Sequence, residues 1–265
     1  MSTNTGKTAL VTGASGGIGY ELARLFARDG YNLVLVARSA DRLNEMKQQY
    51  EAKAGIRVHV IVKDLAQPPA PQEIFDELQS EGLAVDVLVN NAGFTVFGRF
   101  LETELERELQ LMQVNIVALT YLTKLFVPGM VERGWGKVLN LASTAAFFPG
   151  PLMSVYYASK AYVRSFSEAL AVELEGTGVT VTVMCPGPTE TGFQKRGNLE
   201  DSRLVAGRKL PDARTVARAG YRGMMKGRML VVPGLKNWVQ IEATRFIPDK
   251  MLARSVLRAQ DRVES

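Results

Sequence analysis

The chain has 265 residues, 46% of them hydrophobic and 22% charged, with a net charge of +5. That balance excludes a disordered chain or a small disulfide-stapled scaffold and fits one α/β domain over 1–265, since such units often run past about 200 residues undivided. A single cysteine, Cys185, and a single histidine, His59, exclude an internal disulfide and leave no Cys/His metal cluster.

No uninterrupted apolar run of about 18 residues is present, and the first residues carry no leader-like pattern, so a soluble, unprocessed, cytoplasmic protein is expected. Along the chain, apolar runs of strand length fall at 8–12, 32–37, 57–62, 85–89, 137–142, 179–184 and 229–232. They alternate with helical patterns at 17–29, 40–54, 71–81, 103–130, 155–176 and 236–260. The alternation predicts an α/β fold: a single doubly wound, Rossmann-type parallel sheet with helices on both faces. Runs such as Leu33-Val34-Leu35-Val36-Ala37 are apolar throughout, as strands covered on both sides require. A cofactor half is expected over 1–135, a catalytic and substrate part over 136–235, and a basic amphipathic tail over 236–265.

In such sheets ligands bind beyond the carboxyl ends of the strands. A glycine-rich turn, Arg38, Asp64, Asn90-Asn91, Ser143 and Pro186-Gly187 all fall there. Helices 103–130 and 155–176 are apolar on more than one face, which predicts a subunit interface in a homodimer or homotetramer. The segment 192–214, rich in glycine and charge, is expected to be a mobile loop beside the site, placed to act as a substrate lid. His59 reads as a strand surface residue. Residues 191–265 hold 16 Lys/Arg against 7 Asp/Glu. That basic quarter is read as a solvated surface, with no nucleic-acid partner.

The chemistry lies in three stretches. Thr12-Gly13-Ala14-Ser15-Gly16-Gly17-Ile18-Gly19 follows a strand and opens a helix. Missing β-carbons let the backbone approach a pyrophosphate, and the helix N-terminus offers it free N–H groups. Tyr156 and Lys160 stand four residues apart, on one helix face. A neighbouring ammonium stabilises a phenolate and brings a tyrosine down from near 10 toward the working range of an acid/base. Ser143 ends a strand and is placed to donate to a carbonyl oxygen where charge develops, with Thr144 as the competing hydroxyl. The only histidine is placed elsewhere in the pattern, which argues against a Ser-His hydrolase pair.

Together these residues make the chain resemble the short-chain dehydrogenase/reductase family over about residues 7–192. The family's glycine turn matches Thr12 to Gly19, its Asn-Asn-Ala-Gly motif matches Asn90 to Gly93, and its Pro-Gly motif matches Pro186-Gly187. Its catalytic asparagine, serine, tyrosine and lysine match Asn115, Ser143, Tyr156 and Lys160.

The resemblance implies that Tyr156 gives and takes the proton, Lys160 lowers its pKa and holds the nicotinamide ribose, Ser143 positions the carbonyl, and Asn115 holds a relaying water. It also implies cofactor contacts from Gly13, Ser15, Gly17, Ile18 and Gly19, from Asp64 and Leu65, from Asn91, Ala92 and Gly93, and from Pro186, Gly187, Thr189 and Thr191.

At the end of the second strand, Arg38-Ser39 stands where an NAD-binding carboxylate would be, which favours NADP(H) through the 2′-phosphate. Phe94, Thr95, Val96, Phe147, Phe148, Leu152, Met153 and Phe193 are the expected substrate walls, and they suit an apolar carbonyl. The reading is an NADP-dependent reductase of an apolar ketone or aldehyde. Oxidation of a hydroxy acid or secondary alcohol, and a non-catalytic cofactor-binding protein, are its alternatives. The tail is expected to pack on the protein's own body and cap the pocket, with peripheral membrane contact as the alternative.

Overall fold

The computed structural model describes residues 6–193, 197, 202, 210–244 and 246–261. Most of the expected lid, 192–214, lies outside the described residues.

Seven strands form one sheet: β1 (Thr8–Thr12), β2 (Asn32–Ala37), β3 (Val58–Val62), β4 (Val87–Asn90), β5 (Gly136–Leu141), β6 (Val179–Met184) and β7 (Leu230–Val231). They lie in the order β3-β2-β1-β4-β5-β6-β7, every neighbouring pair parallel. This is the doubly wound Rossmann-type architecture. The order reverses between β1 and β4, and that switch point opens a crevice at the carboxyl edge.

Period-2 alternation divides the core. Ala9 and Val11 of β1, with Leu33 and Leu35 of β2, face α1 (Gly17–Arg28), α2 (Ala40–Ala54) and a further helix at 213–225. Leu10, Val34 and Leu88 face α3 (Ala70–Ser80) and the long helical run 105–132 on the other side. That run comprises α4 (Leu105–Met112), a π turn (Gln113–Ala118) and α5 (Leu119–Glu132). It is long and apolar enough to cross a membrane, yet it packs on the sheet through Leu122, Phe126 and Met130. The π turn carries Asn115 inward, to 1% exposure.

A buried polar spine fixes α5 and α6 (Ser154–Glu173) against the centre of the sheet. Asn90 Nδ2 donates to Asn140 Oδ1 at 2.9 Å and to Thr123 Oγ1 at 3.0 Å, and Asn140 Nδ2 donates to Ser167 Oγ at 2.9 Å. At the sheet edge His59 is half-buried between Glu77 and Glu81, a ring nitrogen within hydrogen-bond reach of each carboxylate, so it ties β3 to α3.

Two elements differ from the sequence expectation. Helix α7 (Ala213–Met225) was not expected. It starts at Asp212, whose side chain accepts from Thr215 N, and it buries Val216, Ala217, Tyr221 and Met224 against the sheet. The tail expected as one helix over 236–260 is two, α8 (Leu235–Thr244) and α9 (Asp249–Gln260), with Pro248 at the break.

Candidate active site

The turn after β1 is held from β4. Thr12 Oγ1 donates to Val89 O at 3.2 Å and accepts from Asn91 N and Ala92 N at 2.9 and 3.0 Å. Asn91 Nδ2 returns a bond to Thr12 O at 2.8 Å. A β-carbon on Gly19 would overlap Gly13 O, and one on Gly13 would stand 2.8 Å from Asn91 Nδ2, so both positions require glycine. The N-terminus of α1 has no side-chain cap, and Gly16, Gly17 and Ile18 open onto a cavity of about 710 Å³. Uncapped N–H groups facing a cavity fit a dinucleotide pyrophosphate, and the backbone there leaves room for one.

The other end of the same cavity carries the reactive side chains. Ser143, in extended backbone after β5, accepts from Ala145 N at 3.1 Å and donates to Pro186 O at 3.3 Å, and it lines the cavity together with Tyr156. Lys160 is 5% exposed, and its Nζ donates to Leu141 O at 2.9 Å and lies 5.7 Å from the Tyr156 ring centre. Gly93 lets the Lys160 and Asn115 side chains come this close, because a β-carbon there would stand 3.0 Å from Asn115 Oδ1. Asn115 itself clamps the loop: Oδ1 accepts from Phe94 N, while Nδ2 donates to Phe94 O and to Ser159 Oγ.

Burial dominates the titration of this site. It pushes the Tyr156 phenol up to about 12, against a smaller downward pull from Ser143, although part of the ring stays uncovered. It pulls the Lys160 ammonium down to about 8. The shift of Tyr156 runs upward, opposite to the lowering expected from Lys160, and desolvation is its largest cause. Cys185, beneath the site, is likewise pushed up to about 12 by burial, which leaves it a protonated, unreactive thiol.

Of the expected cofactor residues, Gly13, Gly17, Ile18, Asn91, Ala92, Gly93, Pro186, Gly187, Thr189 and Thr191 line the cavity together with Ser143, Tyr156 and Lys160. Ser15 and Gly19 belong to the turn behind it, and Asn115 stands behind Lys160. Arg38, 70% exposed, lies past β2 with its guanidinium 3.7 Å from the Asp64 carboxylate, beside exposed Ser39. Leu65 sends its side chain into the core.

The substrate walls divide. Phe148, Met153 and Phe193 line the cavity, whereas Phe94, Thr95, Val96, Phe147 and Leu152 do not. Phe94 packs on the core beneath Arg107, Thr95 is 2% exposed, and Phe147 packs under Arg164. Leu152 occupies a left-handed turn, φ 66°, where its carbonyl accepts from Gly98 N.

Tyr157 was missed. It lines the cavity, and its hydroxyl accepts a hydrogen bond from Gln260 Nε2 at the end of α9. Lys236, Asn237 and Gln240 of α8 and Val256 and Ala259 of α9 complete the wall, so the two tail helices form part of the pocket.

Fold and site together define an oxidoreductase of the Rossmann class, with a Ser-Tyr-Lys set at the mouth of a dinucleotide crevice. The short chain dehydrogenase family matches residues 7–201, and the chain belongs to it. It is 37% identical over 194 residues to the ketoacyl reductase HetN of Nostoc sp., covering 73% of this chain and 67% of that one. It is 34% identical over 196 residues to a very-long-chain 3-oxoacyl-CoA reductase of Anas platyrhynchos, covering 72% of this chain. The match spans only 62% of the length of the duck enzyme. A short-chain dehydrogenase of Sphingobium yanoikuyae, solved in complex with NADPH, superposes with a TM-score of 0.80 over 98% of both chains at 28% identity.

Proposed function

We propose that this chain is an NADP(H)-dependent reductase of an apolar ketone or aldehyde, of the long-acyl or bulky-ring class. The carrying observation is that Ser143, Tyr156 and Lys160 line the same cavity as the uncapped N-terminus of α1. When bound, the dinucleotide supplies the hydride. Ser143 and Tyr156 hold the carbonyl oxygen by two hydrogen bonds, and Tyr156 hands it the phenolic proton as negative charge develops. A phenol pushed up to about 12 is fully protonated at neutral pH, the state required of the acid in the reductive direction. Lys160 then faces the tyrosinate from the same helix turn and stabilises it until the proton returns.

Three observations support the substrate and cofactor choices. Phe148, Met153, Phe193 and Val256 give the pocket apolar walls around Tyr156. Two relatives act as ketoacyl and 3-oxoacyl-CoA reductases, and a similar structure carries NADPH. Arg38 stands past the end of β2 with its guanidinium open to solvent, the position from which a 2′-phosphate is read.

The test titrates NADPH and NADH by enhancement of their own fluorescence, on the native protein and on Arg38→Ala. NADPH is expected to bind at least about tenfold more tightly than NADH, and the variant to lose that preference, one charge-assisted bidentate contact being worth about 1.5–3 kcal/mol. Equal or tighter binding of NADH by the native protein refutes the cofactor assignment.

A further inference from the structure

We infer that the two tail helices α8 and α9 dock the protein on an anionic lipid bilayer, with the pocket mouth at the docked face. The two helices are amphipathic in an unusual sense. On α8 the inward face, Asn237 and Ile241, meets the pocket and the core, while Leu235, Trp238 and Val239 at i, i+3 and i+4 share the outward face. Leu235 is 78% exposed and Trp238 50%. Between the helices Phe246 is 88% exposed, and on α9 Met251 is 60% exposed. Single exposed apolar residues are ordinary, but an aromatic and aliphatic set this exposed on two consecutive elements needs a partner.

Charge selects the occupant. Lys236, Lys250, Arg254 and Arg258 are exposed on the same two helices and form no ion pair among the described residues. Segment 235–261 holds five Lys/Arg against three Asp/Glu. Exposed Trp, Phe, Leu and Met flanked by unpaired lysine and arginine is the composition that sinks into the headgroup layer while the cations meet acidic phosphates. A second copy of this chain would bring like charges together on that face.

Position gives the docking a purpose. Lys236, Gln240 and Ala259 line the cavity yet remain exposed, so the pocket opens between α8 and α9 beside the apolar set. This purpose rests on the proposed apolar carbonyl substrate, which would pass from bilayer to pocket without crossing water. Phe148, Tyr157 and Val256 continue the apolar wall inward from that mouth.

The experiment is co-sedimentation of the native protein with vesicles of phosphatidylcholine alone and of phosphatidylcholine with about a third phosphatidylglycerol. The partner protein is Trp238→Ser/Phe246→Ser/Met251→Ser, checked for native circular dichroism and NADPH affinity. The native protein is expected to sediment with the anionic vesicles at millimolar lipid and to bind the neutral ones at least tenfold less. It should be released by 0.5 M salt, and the triple variant should bind at least tenfold less. Absence of native sedimentation with anionic vesicles overturns the inference, as does undiminished binding by the variant. Light scattering of both proteins is read alongside. A native oligomer that the three substitutions dissociate means that a second copy covers this face, which also overturns it. None of these readouts needs turnover, so a wrong substrate class leaves them intact.

Discussion

Lys160→Met replaces a buried ammonium by an apolar side chain of similar length, and so isolates what burying the charge does to the fold. Burial takes Lys160 from 10.5 to about 8. At about 1.4 kcal/mol per tenfold change, keeping the charged form inside costs about 3 kcal/mol wherever the amine is protonated. The bond from Nζ to Leu141 O, 2.9 Å long, returns about 1 kcal/mol. The cofactor-free variant is therefore expected to be about 2 kcal/mol more stable than the native protein at pH 7.

The pH dependence gives the sharper test. Above about 8 the folded native protein has lost this proton, while the unfolded chain keeps it up to 10.5, so the unfolded state binds more protons and native stability rises with pH across that window. The advantage of the variant must shrink between pH 8 and 10.5. Urea unfolding of both proteins at equal concentration, without cofactor, at pH 7 and pH 9.5 measures it, and the difference between the proteins cancels the titration of every other group. A variant less stable than native at pH 7, or a difference that does not move with pH, refutes the argument. Carbonyl reduction should fall to background in the variant throughout, a stability gain bought with function.

Three further outcomes follow from the same geometry. Thr12→Val keeps the shape but leaves the Asn91 and Ala92 N–H groups and Val89 O without their hydroxyl partner, so thermal and urea unfolding should show a loss of about 2–4 kcal/mol, largely restored in Thr12→Ser. Gly19→Ala places a methyl group against Gly13 O and Asn91, and NADPH titration should show at least a tenfold loss of affinity as the turn is forced open. Tyr156→Phe removes the proposed acid without altering the cavity, so steady-state kinetics should show kcat lower by about 10²–10⁴ with cofactor affinity unchanged within about twofold. A loss confined to KM would mean that the hydroxyl only binds substrate.

What could be read from the sequence was whatever chemistry ties to local spacing. The turn from Thr12 to Gly19 and the Tyr156-Lys160 pair each need fixed residue types a few positions apart, and strand-length apolar runs placed them at one sheet edge. Helix α7 was hidden because Gly220 and Gly223 weaken the helical pattern, leaving only Asp212 and the Val216, Tyr221, Met224 periodicity as signals. The break in the tail was visible in principle at Pro248.

Depth was not legible at all. Phe94, Phe147 and Phe148 stand beside strand ends with the same local pattern, yet only Phe148 meets the cavity, because the helix packed over each strand decides which ring is core. Tyr157 and Gln260 are 103 positions apart and no local pattern joins them. The direction of the Tyr156 shift belongs to the same class: four-residue spacing places the ammonium, but the desolvation that raises the phenol comes from packing that no local spacing encodes, Phe193 against the Tyr156 ring among it. A sequence reading of such a site therefore names its candidate acid, and the packing around that residue sets how strongly it holds its proton.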